Sequence, residues 1–226
     1  MPTTLITGAN RGIGLALAAE FMGRGHTVIA TARDPQAAAE LRETGATVYR
    51  LDVTDHDAIA VLAKELEGTP IDVLINNAGL GGPEARTAIG GLDYAGFRRV
   101  LEVNTLSPLA MVEAFTPHVA ASDLKLITVI SSQLGSIEGA DGAWGLIYRT
   151  SKAAVNMAFR SVAVKLADDG ITCLTLHPGH VETDMGGEGA PVKPGASAAG
   201  LADTILGAGP ANALRFLDFQ GNTLPW

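Results

Sequence analysis

Short apolar runs alternate along the chain with longer amphipathic segments. "TTLIT" (3–7) reads as a buried strand, and "RGIGLALAAEFMGRG" behind it has helical apolar spacing with stop signals at Gly23 and Gly25. "TVIATA" (27–32) is the next strand. Asp34 then caps a helix with Pro35 at its first position, running to Gly45, and the strand "TVYRL" (47–51) follows. A helix over roughly Asp55 to Leu66 precedes a fourth strand, "IDVLIN" (71–76). From about Gly90 to Phe115 the spacing is helical despite Pro108, and "LKLITVIS" (124–131) is a fifth strand. Tyr148 to Asp168 forms a helix, "ITCLTLH" (171–177) a sixth strand, and "ALRFLDF" (213–219) a seventh. Strands alternating with helices, with no hairpin signals between them, predict a parallel sheet covered on both faces. The fold class is α/β, doubly wound (Rossmann-type), with a mostly parallel sheet of about seven strands in one domain, residues 1–226.

Two stretches qualify this pattern. The helix from Tyr148 carries Ala153, Val155, Met157, Phe159, Val162, Val164 and Leu166 on nearly every side, so it must bury more than one face. A partner subunit covering it, together with the Phe97–Phe115 helix, is expected, in a homodimer or homotetramer. The stretch "PGHVETDMGGEGAPVKPGAS" (178–197) is rich in glycine and proline and predicts a mobile loop.

Composition narrows the function. With 226 residues and 47% apolar content, the chain can bury a sizeable core. A net charge of −8 without a basic cluster excludes a nucleic-acid surface. A single cysteine, Cys173, excludes an intrachain disulfide framework. Neither a signal peptide nor a stretch able to span a bilayer is read, so a cytoplasmic protein with no membrane partner is expected.

The first strand runs into "TGANRGIG", with Gly8, Gly12 and Gly14 just before a helix. Glycines at such a junction let the chain turn tightly and bring backbone amides to a pyrophosphate at the positive helix end. No carboxylate ends the second strand to receive a ribose 2′-hydroxyl; Arg33 follows Ala32, and Arg11 of the glycine loop can reach the same corner. Two guanidiniums suit a 2′-phosphate, so NADP(H) is preferred, with NAD(H) a possible substitute. In "IYRTSK", Tyr148 and Lys152 stand four positions apart on one helix face, where an ammonium would lower the phenol's pKa. His177 and His180 lack a placed carboxylate or thiol, and no metal is expected.

"TGANRGIG", "LDVTD", "NNAG", Asn104 in "LEVNTLSP", "ISS", "YRTSK" and "HPGHVETDM" occur in an order that resembles the short-chain dehydrogenases/reductases in their single-domain form. The length and the ending "RFLDFQGNTLPW" also resemble a subgroup related to the bacterial C-factor. The resemblance implies a hydride transfer between nicotinamide and a small carbonyl or alcohol substrate, with Asn104, Ser132, Tyr148 and Lys152 catalytic. By it, Tyr148 exchanges the proton, Ser132 orients the substrate oxygen, with Ser131 the neighbouring alternative, and Lys152 also bonds the nicotinamide ribose. Asn104 would hold a helix distortion and a water relaying protons to Lys152. Gly8, Asn10, Arg11, Gly12, Ile13, Gly14 and Arg33 would bind the cofactor's phosphates. Asp52 and Val53 would take the adenine, Asn77, Ala78 and Gly79 the ribose, and Pro178, Gly179, Val181 and Thr183 the nicotinamide side. Gln133, Leu134, Trp144, His180 and Met185 are candidate substrate contacts in an open pocket, the loop 133–147 being longer than usual. A dinucleotide-binding sensor or signalling protein of this fold is the alternative reading, against which the intact Ser, Tyr and Lys set counts.

Overall fold

The computed structural model describes residues 1–81, 90–140, 142 and 144–226. Eight strands form one sheet: β1 (Thr3–Ile6), β2 (Thr27–Ala32), β3 (Thr47–Arg50), β4 (Val73–Asn76), β5 (Leu126–Ile130), β6 (Thr172–His177), β7 (Phe216–Asp218) and β8 (Thr223–Leu224). Their order is β3-β2-β1-β4-β5-β6-β7-β8, parallel except for the antiparallel β7–β8 pair. The helices are α1 (Gly12–Gly23), α2 (Ala39–Glu43), α3 (His56–Glu65), α4 (Tyr94–Leu101), α5 (Ser107–Ala120), α6 (Leu146–Leu166) and α7 (Pro194–Leu206). No helix among the described residues is long and apolar enough to cross a membrane.

Successive strand residues feed opposite faces, as a pleated strand requires. Leu5 and Leu74 pack with Ile59 and Leu62 of α3, Phe115 of α5 and Phe159 of α6. Ile6 and Ile75 pack with Leu17 and Phe21 of α1, Leu41 of α2 and Leu201 and Ile205 of α7. Both faces of the sheet are therefore dry, and the strands read as continuous apolar runs for that reason. β1 lies between β2 and β4, so the strand order reverses there; this opens a crevice at the strands' carboxyl ends.

Several expectations need correction. Asp34 does not cap a long helix: its carboxylate accepts from the Gln36 and Ala37 amides in a local turn, and α2 begins only at Ala39. A short polar side chain that bonds its own following backbone competes with helix formation there. The segment from Gly90 is broken: α4 starts behind Asp93, whose carboxylate accepts from Gly96 N, and a π turn over Glu102–Leu106 separates it from α5, where Pro108 sits in the first turn. The loop after β6 is a folded strap held by the Val181–Val192 bridge and a Lys193–Glu182 ion pair. Helix α7 grows out of the end of the stretch read as loop. Its Gly200 masks the helical signal yet is sterically required, because a Cβ there would lie 2.3 Å from the Phe219 carbonyl oxygen. The eighth strand, two residues long, adds to the seven expected.

Candidate active site

The glycine loop follows β1 at the point where strand order reverses. Helix α1 starts at Gly12 with no side chain capping it, which leaves first-turn amides and the positive helix end facing the crevice. The packing excludes side chains: a Cβ on Gly14 would lie 2.5 Å from both Gly8 O and Asn77 Nδ2, and one on Gly8 would lie 2.9 Å from Ala78 Cα. The "NNAG" segment is clamped against this loop. Asn77 Nδ2 donates to Thr7 O at 2.9 Å and Gly8 O at 3.1 Å, and the Asn77 and Ala78 amides both donate to Thr7 Oγ1. This bare backbone cradle fits a pyrophosphate.

The second wall comes from β5 and α6. Ser131 and Ser132 follow β5, and their hydroxyls part. Ser131 Oγ turns inward and donates to Asn156 Oδ1 at 2.5 Å, whereas the Ser132 hydroxyl acts on the Tyr148 phenol, favouring its charged form. Of the two serines, Ser132 is therefore the one facing the phenol. Lys152 is buried, its Nζ donating to Ile130 O at 2.8 Å and lying 5.7 Å from the Tyr148 ring centroid.

The expected electrostatics are reversed. Burial pushes the Tyr148 phenol up to about 12, opposed by its bond to Ser132, and pushes Lys152 down to about 8. Both shifts have one cause: a charge of either sign is costly in a dry wall. Spacing brings the ammonium near the ring, but loss of water sets the direction of both shifts.

Asn104 lies in the π turn and is buried. Its Oδ1 accepts from Leu80 N at 2.8 Å, and its Nδ2 donates to Leu80 O at 2.9 Å and Ser151 Oγ at 3.0 Å. The helix distortion expected around it is present. Both amide hydrogens are committed to tying the segment after "NNAG" to α6, so only a remaining Oδ1 lone pair is open to a relay. A Cβ on Gly79 would stand 3.7 Å from Asn104 Oδ1 and 3.9 Å from Lys152 Nζ, which puts "NNAG", π turn and lysine at one spot.

Elsewhere the two arginines part company. Arg33 is exposed at the end of β2 and helps keep the Asp52 carboxyl below its usual range, after the larger effect of hydrogen bonds from Thr54 N and Oγ1. Arg11 instead donates to Asp184 at 2.5 Å, across to the strap after β6. This pairing joins residues 173 apart and has no local signal in the chain. Asp52 does not cap α3; Asp55 does, accepting from Ala58 N. Asn10 is exposed and Ile13 half-buried in the glycine loop, and Val53 is buried beside Asp52. On the strap, Pro178 O accepts from Ser197 Oγ, Gly179 has a positive φ, Val181 is buried, and the Thr183 methyl would stand 3.3 Å from a Cβ on Gly12. His180 Nε2 bonds to Gly186 O, and burial pulls His177 down to about 4. Gln133 is exposed and Leu134 half-buried in the turn after Ser132, and Trp144 is 59% and Met185 55% exposed. Residues 141 and 143 of the long loop lie outside the described residues.

The family described as short chain dehydrogenase matches residues 2–191. The chain is 40% identical over 157 residues to the C-signal of Myxococcus xanthus, covering 70% of this chain and 93% of that protein. It is 34% identical over 233 aligned positions to the 1-hydroxy-2-glutathionyl-2-methyl-3-butene dehydrogenase of Rhodococcus sp., covering 100% of both. Among solved structures, the carbonyl reductase Sniffer of D. melanogaster superposes with a TM-score of 0.93 at 31% identity, covering 100% of both chains. An NADPH-bound carbonyl reductase from chicken fatty liver superposes at 0.91 with 31% identity, covering 100% of this chain and 99% of that one.

Proposed function

The chain belongs to the short chain dehydrogenase family, and from that premise we propose that it is an NADPH-dependent carbonyl reductase, able to run the reverse oxidation of an alcohol, with Tyr148 as proton donor and acceptor. The observation that carries this reading is the Ser132–Tyr148 hydroxyl pair with the Lys152 ammonium 5.7 Å from the ring, set beside a side-chain-free cradle at the sheet's switch point. The exposed Arg33 at the β2 terminus supports NADPH over NADH, as does the cofactor bound to the chicken carbonyl reductase.

The cradle of Gly8, Asn10, Arg11, Gly12, Ile13 and Gly14 would hold the pyrophosphate and Arg33 the 2′-phosphate. Asp52 and Val53 would face the adenine, Asn77 to Gly79 with Tyr148 and Lys152 the nicotinamide ribose, and Pro178, Gly179, Val181 and Thr183 the carboxamide. When bound, the dinucleotide supplies the hydride. The rest falls to the protein. Ser132 orients the carbonyl oxygen, and Tyr148 donates its phenolic proton there as negative charge develops. The Lys152 ammonium then offsets the charge left on the phenolate. A phenol pushed up to about 12 remains protonated across the neutral range, as a proton donor must before reduction.

The exposure of Trp144 and Met185 supports a site tolerant of varied carbonyls, and the Rhodococcus dehydrogenase, named for a glutathionyl-bearing alcohol, is a relative with a bulky substrate. NADPH oxidation against a panel of aldehydes and ketones tests the reading: several are expected to turn over, and none turning over overturns it. The match to C-signal favours a second reading, a signalling protein, which predicts NADPH binding without oxidation.

The oligomer belongs to this proposal. Met157 is 66% and Val164 61% exposed on one stripe of α6, with Tyr94 and Leu106 exposed on the neighbouring helical segment. These apolar groups support a homodimer or homotetramer through that face. A monomeric mass by light scattering would remove the idea.

A further inference from the structure

Tyr148, Lys152 and Asn156 lie on one stripe of α6 at successive turns, and the third has no part in the chemistry described above. We propose that Asn156 is a positioning residue that holds the Ser132 hydroxyl against Tyr148; the inference rests on the role given to Ser132.

Asn156 is 3% exposed. Its side-chain amide grips the chain on both sides of Ser132. Oδ1 accepts from Ser131 Oγ at 2.5 Å, and Nδ2 donates to Gly135 O at 3.2 Å. Between these grips the chain closes a single turn: Gly135 N donates to Ser132 O at 2.8 Å, and Leu134 N donates to Ser132 Oγ at 3.2 Å. The turn is pressed on α6 so closely that a Cβ on Gly135 would lie 2.6 Å from the Lys152 carbonyl carbon. Ser132 therefore has little freedom along α6, because its flanks are pinned to one group a single turn beyond Lys152.

The task needs a donor and an acceptor on one short side chain, which only an amide supplies at this length. Leucine has neither and would leave the Ser131 hydroxyl and the Gly135 carbonyl buried without partners. Aspartate keeps the acceptor and loses the donor. Released from its grip, the turn lets the Ser132 hydroxyl drift from the phenol, and displacements of about 1 Å at such groups cost up to about a hundredfold in rate.

The test is a double-mutant cycle followed by NADPH oxidation with the fastest carbonyl of a panel that includes p-nitrobenzaldehyde, with NADPH dissociation constants from fluorescence and folding from circular dichroism. Asn156→Leu is expected to lower kcat about tenfold to a hundredfold and raise the carbonyl KM, while the NADPH constant stays within about twofold. Asn156→Asp is expected to fall between it and the unmodified protein. In a Ser132→Ala background neither substitution should cost anything further, because the residue acts through that serine. If Asn156→Leu does not fold, Ser131→Ala removes one grip and enters the same cycle. Undiminished kcat, equal losses in both backgrounds, or a parallel weakening of NADPH overturns the inference while leaving the Ser132 role standing. Full turnover in Ser132→Ala alone is a separate pattern: it removes the serine's role and this inference with it.

Discussion

The two walls of the crevice are built on opposite physical grounds. The glycine-loop wall works by the absence of side chains: bare backbone, an uncapped helix end and exposed arginines at its mouth. The wall of β5 and α6 works by side chains packed out of water, where burial moves the phenol and the ammonium pKa values toward their neutral forms. The first wall is thus sensitive to volume and the second to polarity and protonation. Binding and chemistry should be separable by substitution for this reason.

The largest separation is expected at Tyr148. Tyr148→Phe removes the proton this residue is proposed to donate and little volume, so kcat should fall about a thousandfold, within the range for general acid catalysis. On the binding side only the phenol's proposed bond to the nicotinamide ribose is lost, so NADPH affinity by fluorescence should fall no more than about tenfold. Retained turnover would refute the acid assignment.

Gly14→Ala probes the other wall. One methyl must fit where Gly8 O and Asn77 Nδ2 already stand at 2.5 Å. Overpacking of this kind costs about 1–3 kcal/mol, visible in the urea midpoint, and should weaken NADPH binding without changing the pH profile of the remaining activity. A variant with unaltered midpoint and affinity would mean that the cradle is looser than drawn.

Arg33→Asp changes charge at the mouth of the same wall and leaves the packing alone. A lost charge-assisted contact to a 2′-phosphate amounts to about ten- to a hundredfold in affinity, so the preference should move from NADPH to NADH. Equal kcat/KM for the two cofactors in the unmodified protein would argue against this role.

The smallest effect is in stability against pH. Lys152 sits at about 8 when folded against an ordinary value of 10.5, so between these values the unfolded chain holds a proton that the folded chain has lost. Stability should therefore rise with pH from about 8, by about 1 kcal/mol up to about 9, above which the buried Cys173 thiol and then the Tyr148 phenol, both pushed up to about 12, act in the opposite direction. Lys152→Met should flatten the slope in urea titrations; an unchanged slope would show that the buried lysine is not its source.

Much of this was legible in the chain. The strands from Thr3 to Ile6 and Val73 to Asn76 are short apolar runs because both faces of the sheet are covered. The glycine loop and the Tyr148–Lys152 spacing could be read for a similar reason: a turn and a helix face are set by residues close in sequence. Helix α7 was masked by Gly200, whose justification is Phe219, a distant residue. Strand β8 exists only through pairing with β7. Arg11 was read toward the Arg33 corner and meets Asp184 instead.

What the amino-acid order determined alone was the alternation of elements, the turn at the glycines and the presence of a phenol, an ammonium and two serines within reach of one helix face. The tertiary structure decided which serine meets the phenol, which way the proton affinities move and what holds the turn between them. Spacing is a property of neighbours along the chain, whereas desolvation and buried hydrogen bonding depend on everything packed around a group, most of it remote in sequence.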